Sequence, residues 1–349
     1  MSAKIRIAVV GLGWVALARH IPALLRSDAF ELVGVIDRHP GLAARIAKRF
    51  ALAHAAQTDD LATVDWLGSC EALTIAAPPM AHAKLALAAL KRGLHVLTEK
   101  PFAMDEAEGA AMAEAASQAH KIIAVVHNFQ FSRAAKRLEQ DLATGKLGTL
   151  RRIAATQLGN PARRLPTWYE RLPMGLFYDE SPHFFYLLRK LAGPSLKLEH
   201  AYAVPSSQGL NTPALIQLAY LNETGLPISM TCDFESAVSE WHIMVTGTQG
   251  LAILDIFRDI YIRLPNDGAH GAWQILRTSL AACLQHLYHY IPNGLALARG
   301  RLDYGNDELY RRFAQALSQD EEPQQMGVQD ALAILHLQHE AISALKGAA

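Results

Sequence analysis

Cysteine is scarce and neither sign of charge dominates. The 349 residues include three cysteines, Cys70, Cys232 and Cys283. They are odd in number, far apart and not spaced as C-x-x-C, which argues against a disulfide framework and a thiolate zinc site. Lys plus Arg equals Asp plus Glu, 33 against 33, so no long-range field favours nucleic acid or an anionic membrane. No apolar run is long enough to span a bilayer. MSAKIRIAVVGLG leads straight into a patterned strand without a separate apolar stretch and cleavage site, so the expected location is the cytoplasm. Internal repeats and low-complexity tracts are also missing. A small-molecule partner is what remains.

The length suits two domains, each with its own core. From Ile5 to about Val126, short apolar runs alternate with longer amphipathic segments, the pattern of βαβ units around a parallel sheet buried on both faces. The runs are IRIAVV (5–10), ELVGVI (31–36), ALTIAA (72–77), LHVL (94–97) and KIIAVV (121–126). Asp105 and Glu108 fit a capping-box variant opening the Ala-rich helix that follows. After a helical stretch ending at Gly145 and Gly148 the pattern changes to long alternating strands. In the clearest, Ile228, Met230, Cys232 and Phe234 share one face and Ser229, Thr231, Asp233 and Glu235 the other. Segments 149–158, 196–204, 213–221, 240–246 and 250–263 are further expected strands, and 272–298, 306–319 and 328–345 expected helices. The expected class is α/β plus α+β, with a nucleotide-binding domain at 1–128 and a second domain at 129–349.

Gly11-Leu12-Gly13-Trp14-Val15-Ala16 directly follows the first strand and opens a helix, the context that gives G-x-G-x-x-G/A its meaning. Gly11 permits the tight turn, Gly13 lets backbone approach a pyrophosphate, and Ala16 allows close helix-to-strand packing, with Trp14 and Val15 between them. Asp37 ends the second strand at the spacing expected of a ribose-binding acid. Its carboxylate accepts from ribose hydroxyls and repels a 2′-phosphate, favouring NAD over NADP. The neighbouring Arg38 suits an adenine face or, alternatively, a 2′-phosphate. These features describe a doubly wound Rossmann sheet.

Downstream stand Ala77-Pro78-Pro79-Met80-Ala81-His82 and a strand ending in Thr98-Glu99-Lys100-Pro101; Asp179-Glu180-Ser181-Pro182-His183 lies further on. With the glycine turn, these resemble the Gfo/Idh/MocA oxidoreductases over nearly the whole chain. The resemblance implies that Lys100 sits beside the nicotinamide ribose and the reacting carbinol, that Glu99 helps hold the cofactor, and that the Lys100–Pro101 peptide is cis. It implies that Ala77, Pro78 and His82 lie near the cofactor, fixing its own turn being the alternative for His82, and that a large, open, mostly antiparallel sheet in the second domain joins a homodimer or homotetramer. Two departures stand out. Relatives usually carry glycines before the Asp and one between Asp and His, where this chain has Met174-Gly175-Leu176 and Ser181. In His127-Asn128-Phe129-Gln130-Phe131, Gln130 stands where many relatives have Arg, so an anion-binding contact is either missing or replaced by Arg163 or Arg164.

From the residues themselves, Lys100 follows a buried parallel strand at its carboxyl end, where open α/β sheets bind ligands. An ammonium there can orient or polarise a hydroxyl. Ser181 reads as an N-cap and Pro182 as the first helical position, which puts His183 in a first turn. A positive helix end lowers a histidine pKa and the Asp179 carboxylate raises it, suiting proton transfer; alternatively Asp179 and His183 only cap the helix. Trp168, Tyr169 and Arg171, in the loop 160–174, and Asn128 are further candidates for substrate contact, loop packing being the alternative for the aromatics. His286 with His289, and His336 with His339, have i, i+3 spacing, but no further ligands complete a metal site, so no metal is expected.

The expected activity is NAD-dependent transfer of a hydride between nicotinamide and a carbinol or ketone carbon of a sugar, polyol or nucleotide sugar, with Lys100, Asp179 and His183 as the catalytic set. Two alternatives stay open. One is a redox-neutral enzyme using tightly bound NAD for transient oxidation in cleavage, epimerisation or elimination; the other is a non-catalytic sensor on the same scaffold.

Overall fold

A computed structural model describes residues 3–347. Its first unit begins with β1 (Ile5–Val10), a turn, and a π-helical stretch Ala16–His20 running on into α1 (Ile21–Arg26). It continues through β2 (Phe30–Ile36), α2 (Leu42–Phe50), β3 (His54–Ala56), β4 (Ala72–Ile75), α3 (His82–Lys91), β5 (His95–Thr98), α4 (Glu106–Gln118) and β6 (Ile123–Val125). The six strands lie in the order β3-β2-β1-β4-β5-β6, every neighbouring pair parallel. This is the doubly wound order in which the chain reverses direction between β1 and β4. Ile7, Ala8, Val9, Leu73, Ile75, Val96 and Val125 are buried, as a sheet covered on both faces requires. At the start of α4 the Asp105 side chain accepts from the Glu108 amide at 2.7 Å, while Glu108 reaches back to the Met104 amide. The edge strand β3 escapes periodicity because it is three residues long and only half buried.

The second unit holds α5 (Arg133–Ala143), β7 (Leu150–Leu158), α6 (Leu176–Ala192), β8 (Leu196–Val204), β9 (Leu215–Asn222), β10 (Pro227–Asp233), β11 (Glu240–Gly247), β12 (Gly250–Asp255), β13 (Ile260–Pro265) and α7 (Ala272–Ala298). Seven strands form one sheet in the order β13-β12-β11-β7-β10-β9-β8, with only β7 and β10 parallel. The alternation in β10 is realised: Ile228, Met230, Cys232 and Phe234 are buried and Ser229, Thr231 and Asp233 half-buried. The stretch 250–263, expected as one strand, is instead the hairpin β12–β13. Its turn is fixed by the Asp255 carboxylate accepting from the Arg258 amide at 3.0 Å, with Asp259 at φ +51°.

Two helices end the chain, α8 (Asn306–Gln319) and α9 (Val328–Gly347). Gly305–His336 groups with the first unit, and only the part from Leu337 onward groups with Phe129–Tyr304. A second domain running unbroken over 129–349 is therefore corrected by this return. Its physical basis is apolar: Tyr310 and Phe313 pack their rings against Phe30, and Leu332 and Leu335 close over Gly109 of α4, where a Cβ would stand 2.8 Å from Leu335.

On β11, Arg258 forks onto both oxygens of Glu240 at 2.6 Å and reaches Asp255 at 2.7 Å. The guanidinium bonds, with burial opposing, hold Glu240 down at about 2. A carboxylate depressed in the folded state stabilises above its unfolded pKa, and that contribution is lost as pH falls towards the folded value. Glu240→Gln should therefore be less stable than the wild type near neutral pH, with the difference closing between pH about 4.5 and about 2. Urea unfolding of the two proteins across that range measures it.

Candidate active site

The glycine turn is built as a cradle. Gly11 has φ +85°, and a Cβ there would stand 2.5 Å from the Ala77 amide nitrogen, so both conformation and space demand glycine. Gly13 is the opposite case: a Cβ would meet no heavy atom within 4 Å. Its backbone faces open space, which leaves room for a ligand. Ala16 is fully buried, Val15 half-buried, and Trp14 exposed beneath the Arg19 guanidinium at 5.3 Å. Asp37 ties the turn to β2. Its Oδ2 accepts from the Leu12 amide at 2.8 Å, and its Oδ1 accepts from the His39 amide at 2.8 Å and the His39 ring at 2.7 Å. A carboxylate offers about four lone-pair positions, so one remains on Oδ2, and the exposed His39 ring is the contact most easily displaced. Arg38 is exposed beside it.

Beyond β4, Ala77 and Pro78 are half-buried and lead into a short helical turn, Pro79–Ala81, before α3. His82 is completely buried, its ring nitrogens 2.9 Å from the Ala77 carbonyl and 2.8 Å from the Pro101 carbonyl. Burial lowers its pKa, against the pull of the two carbonyls and of Glu99. Sequence reasoning placed His82 near the cofactor; the structure gives its nitrogens to the two turns that flank the site, so it acts as a brace between them. The Lys100–Pro101 peptide is cis, and Lys100 is half-buried at the carboxyl end of β5.

Glu99 anchors a chain of buried polar groups that spacing did not reveal. Its Oε1 meets His20 Nε2 at 2.9 Å, His20 Nδ1 meets the Tyr310 hydroxyl at 2.9 Å, and that hydroxyl lies 3.1 Å from Thr74 Oγ1. The other Glu99 oxygen accepts from the Lys100 amide at 3.1 Å. Burial disfavours the Glu99 anion, yet the His20 bond and charge, Lys100 and its amide outweigh it, and the pKa is lowered. The available signal was His20 itself, a polar residue where α1 begins its buried face. Tyr310 carried none, lying 290 residues away.

In the second unit α6 departs from expectation. It begins at Leu176, after Met174 and Gly175 at φ +59° and +55°, with the Leu176 amide bonded to Thr212 Oγ1 at 2.9 Å. Ser181 is thus not an N-cap, and Pro182 lies inside the helix. A proline there cannot bond the carbonyl four residues back; Gln338 of α9 does so instead, donating to the Tyr178 carbonyl at 2.6 Å and to Ser181 Oγ at 3.0 Å. Asp179 and His183, four residues apart, share a helix face. His183 lies beyond the first turn, outside the reach of the helix-end field invoked for its pKa. It is 8% exposed, against Phe129 and Trp241, with Nδ1 2.9 Å from the Tyr186 hydroxyl. That hydroxyl also accepts from the Phe129 amide at 3.1 Å, so Nδ1 is engaged inside the unit.

The other candidates are less uniform. Asn128 is buried in the first unit; Gln130 is buried in the second, its carbonyl accepting from Lys190 at 3.2 Å. Arg163, one of the two candidate replacements for the missing arginine, pairs with Glu180 at 2.9 Å, beside a very short bond from Gln157 to the same oxygen. That partnership ties the loop to α6. Arg164 is exposed, and Trp168 and Tyr169 are half-buried. Among the described residues one cluster has metal-ligand geometry, Glu240, His242 and Asp255, and Arg258 already supplies its positive charge. The His336 ring bonds Glu106 and the His339 ring Tyr178, so this pair does not converge.

His20→Leu would leave the Glu99 carboxylate buried without its principal partner, a loss of about 3–5 kcal/mol for a broken buried pair. Urea denaturation at neutral pH should show it, and the deficit should shrink in acid as Glu99 takes up a proton. An unchanged midpoint would mean that the bond contributes nothing.

Residues 5–127 match a family model described as an oxidoreductase family with an NAD-binding Rossmann fold, GFO_IDH_MocA. The chain is 27% identical to an uncharacterized oxidoreductase of Synechocystis sp. over 72% of each chain. It is 30% identical to the scyllo-inositol 2-dehydrogenase (NADP(+)) of Bacillus subtilis, over 44% of this chain and 45% of that one, so the match spans less than half of that enzyme. The fold agrees over 99% of this chain and 98% of the other, with TM-score 0.73 at 17% identity, with the WlbA dehydrogenase from Bordetella pertussis, solved with NADH and UDP-GlcNAcA. The family match thus covers the nucleotide-binding domain, residues 5–127, and the solved neighbour shares the fold over nearly the whole chain.

Proposed function

We propose that this protein is an NAD-dependent oxidoreductase that oxidises a CH–OH group, or reduces the corresponding ketone, of a sugar, polyol or nucleotide sugar. The observation that carries the reading is the gathering of Gly11, Asp37, Ala77, Glu99 and Lys100 beyond the carboxyl ends of β1, β2, β4 and β5. Among the proteins named above, one acts on a polyol and one was solved with a nucleotide sugar, which supports the substrate class. The residues fit the cofactor: Gly13 opens onto free space, and Asp37 retains an acceptor position for a ribose hydroxyl while its charge opposes a 2′-phosphate. When bound, the nicotinamide exchanges a hydride with the substrate carbon.

In this reading Lys100 orients the substrate hydroxyl and stabilises developing alkoxide charge with its ammonium. His183 exchanges the hydroxyl proton at Nε2, its Nδ1 being engaged by Tyr186. Asp179, one turn earlier on the same helix face, binds substrate and orients the acid–base group. Asn128, Gln130, Trp168 and Tyr169 are proposed substrate contacts. Glu99 acts through Lys100 and the cofactor side of the turn, held ionised by His20. The protein is proposed to work in the cytoplasm as a homodimer or homotetramer joined through the second sheet.

Purified protein should release NAD on denaturation and change absorbance at the nicotinamide band with some member of a sugar, inositol and nucleotide-sugar panel. Product formed from that panel without net nicotinamide change would transfer the protein to redox-neutral chemistry. His183→Asn should lower turnover by roughly 10²–10⁴-fold, the usual contribution of a positioned acid–base group. Lys100→Ala should abolish turnover while still binding NAD; full activity in Lys100→Ala would refute the assignment.

A further inference from the structure

The helix α7 is amphipathic the wrong way round for a monomer. Its only fully buried residue among the 27 is Asn293. The stripe that touches its own unit is polar and small: Gln285 bonds both the amide and the carbonyl of Arg263 on the edge strand β13, and Asn293 donates to the carbonyls of Arg258 and Asp259. The opposite side is apolar and exposed. Leu276, Leu280, Cys283, Leu287, Tyr290 and Leu297 lie there, and their spacing of four, three, four, three and seven is a heptad seam, the pattern with which one helix packs against another. Leu276 and Leu280 are each 56% exposed and Leu297 53%.

We propose that this seam is covered by a second copy of the chain, α7 packing on α7 across a twofold axis. Eleven large apolar side chains of the helix are 42–81% exposed, together more than the roughly 300–600 Å² of the largest patch on a typical monomer and of the order of the ~800 Å² each partner gives to a stable interface. A twofold contact uses one self-complementary patch twice, and a heptad seam meets that condition. Charge argues against a membrane surface as the occupant: a helix lying in a lipid interface carries several Lys or Arg on its polar side, whereas Arg277 is the only charged residue within 272–298. No helix among the described residues is long and apolar enough to cross a membrane. The proposal rests on the homo-oligomeric part of the reading above and not on its chemistry. To the second sheet it adds α7, which packs along the sheet's edge strand β13, as a contact.

The test measures mass in solution by light scattering on wild type and on a variant carrying Leu276→Glu, Leu280→Glu and Leu287→Glu. Cofactor binding is recorded on both, so a failure of assembly is distinguished from a failure of the NAD reading. Wild type should have a multiple of 38.2 kDa, and the folded variant should have half that mass or less. Wild type at 38.2 kDa at micromolar concentration would overturn the proposal, as would a folded variant that keeps the wild-type mass or a 38.2 kDa protein that sediments with phosphatidylserine vesicles. Should the variant fail to fold, Cys283 decides on unmodified protein, since Cys70 and Cys232 are buried. Slow maleimide modification that accelerates on dilution supports the seam. Modification at the rate of an open surface thiol at every concentration refutes it.

Discussion

The parallel register of the first sheet is the constraint from which the site follows. Val10 stands opposite Ile36 and Ile75, and Ile75 opposite Thr98. The next residue on each strand is therefore brought to one line along the sheet edge: Gly11, Asp37, Ala76 and Glu99. Backbone bonds fix that line, from the Gly11 amide to the Ile36 carbonyl, from Ala76 to Val10 and from Glu99 to Ile75, each at 2.8–2.9 Å. An antiparallel sheet would send alternate strand ends to opposite edges. Here the strand ends contribute the residue types on which the proposed roles rest: a glycine where the turn must invert, a carboxylate after β2, and a lysine just beyond β5.

Holding Glu99 ionised in that line has consequences for the whole first unit. An anion buried at the strand ends is stable only with donors around it, and these come from two distant places. His20 enters from the start of α1, which the glycine turn itself positions. Tyr310 supports His20 from α8, almost 300 residues later, and the same ring packs on Phe30 of β2. The return of Gly305–His336 to the first unit thus completes both an apolar edge and a polar chain. A dinucleotide domain truncated near residue 128 would keep the visible motifs and lose the hydroxyl that orders them.

This explains what was legible. Buried parallel strands announce themselves because their runs are apolar and bounded by turn residues, and the motif residues follow from them by adjacency. The start of α6 was misread because Pro182 carries a local signal for a first turn that the chain overrides with a distant amide, Gln338, at the vacated Tyr178 carbonyl. Arg163 shows the same limit: its charge was visible, its partner Glu180 was not. The hairpin β12–β13 was read as one strand because Ile256, buried beside the turn, continues the apolar pattern through it. In each case local pattern gave the right residue types, and a side chain far along the sequence decided what they do.

The helix α7 shows the limit from the other direction. Its span was readable to the residue, since a long apolar segment ended by Gly300 has few other conformations open to it. What periodicity does not state is which way the apolar face points. Where a chain supplies its own core, that face turns inward and the polar face meets water. In α7 the inward stripe makes hydrogen bonds to the exposed edge of β13, a backbone row that must otherwise be covered or paired. Satisfying that edge and the carbonyls of the turn before it requires Gln285 and Asn293 to face inward, and the heptad leucines then have nowhere to turn but outward. The polar need of one strand edge therefore sets the direction of the apolar face, and it is the edge, rather than any excess of hydrophobic residues, that creates a surface in search of another copy.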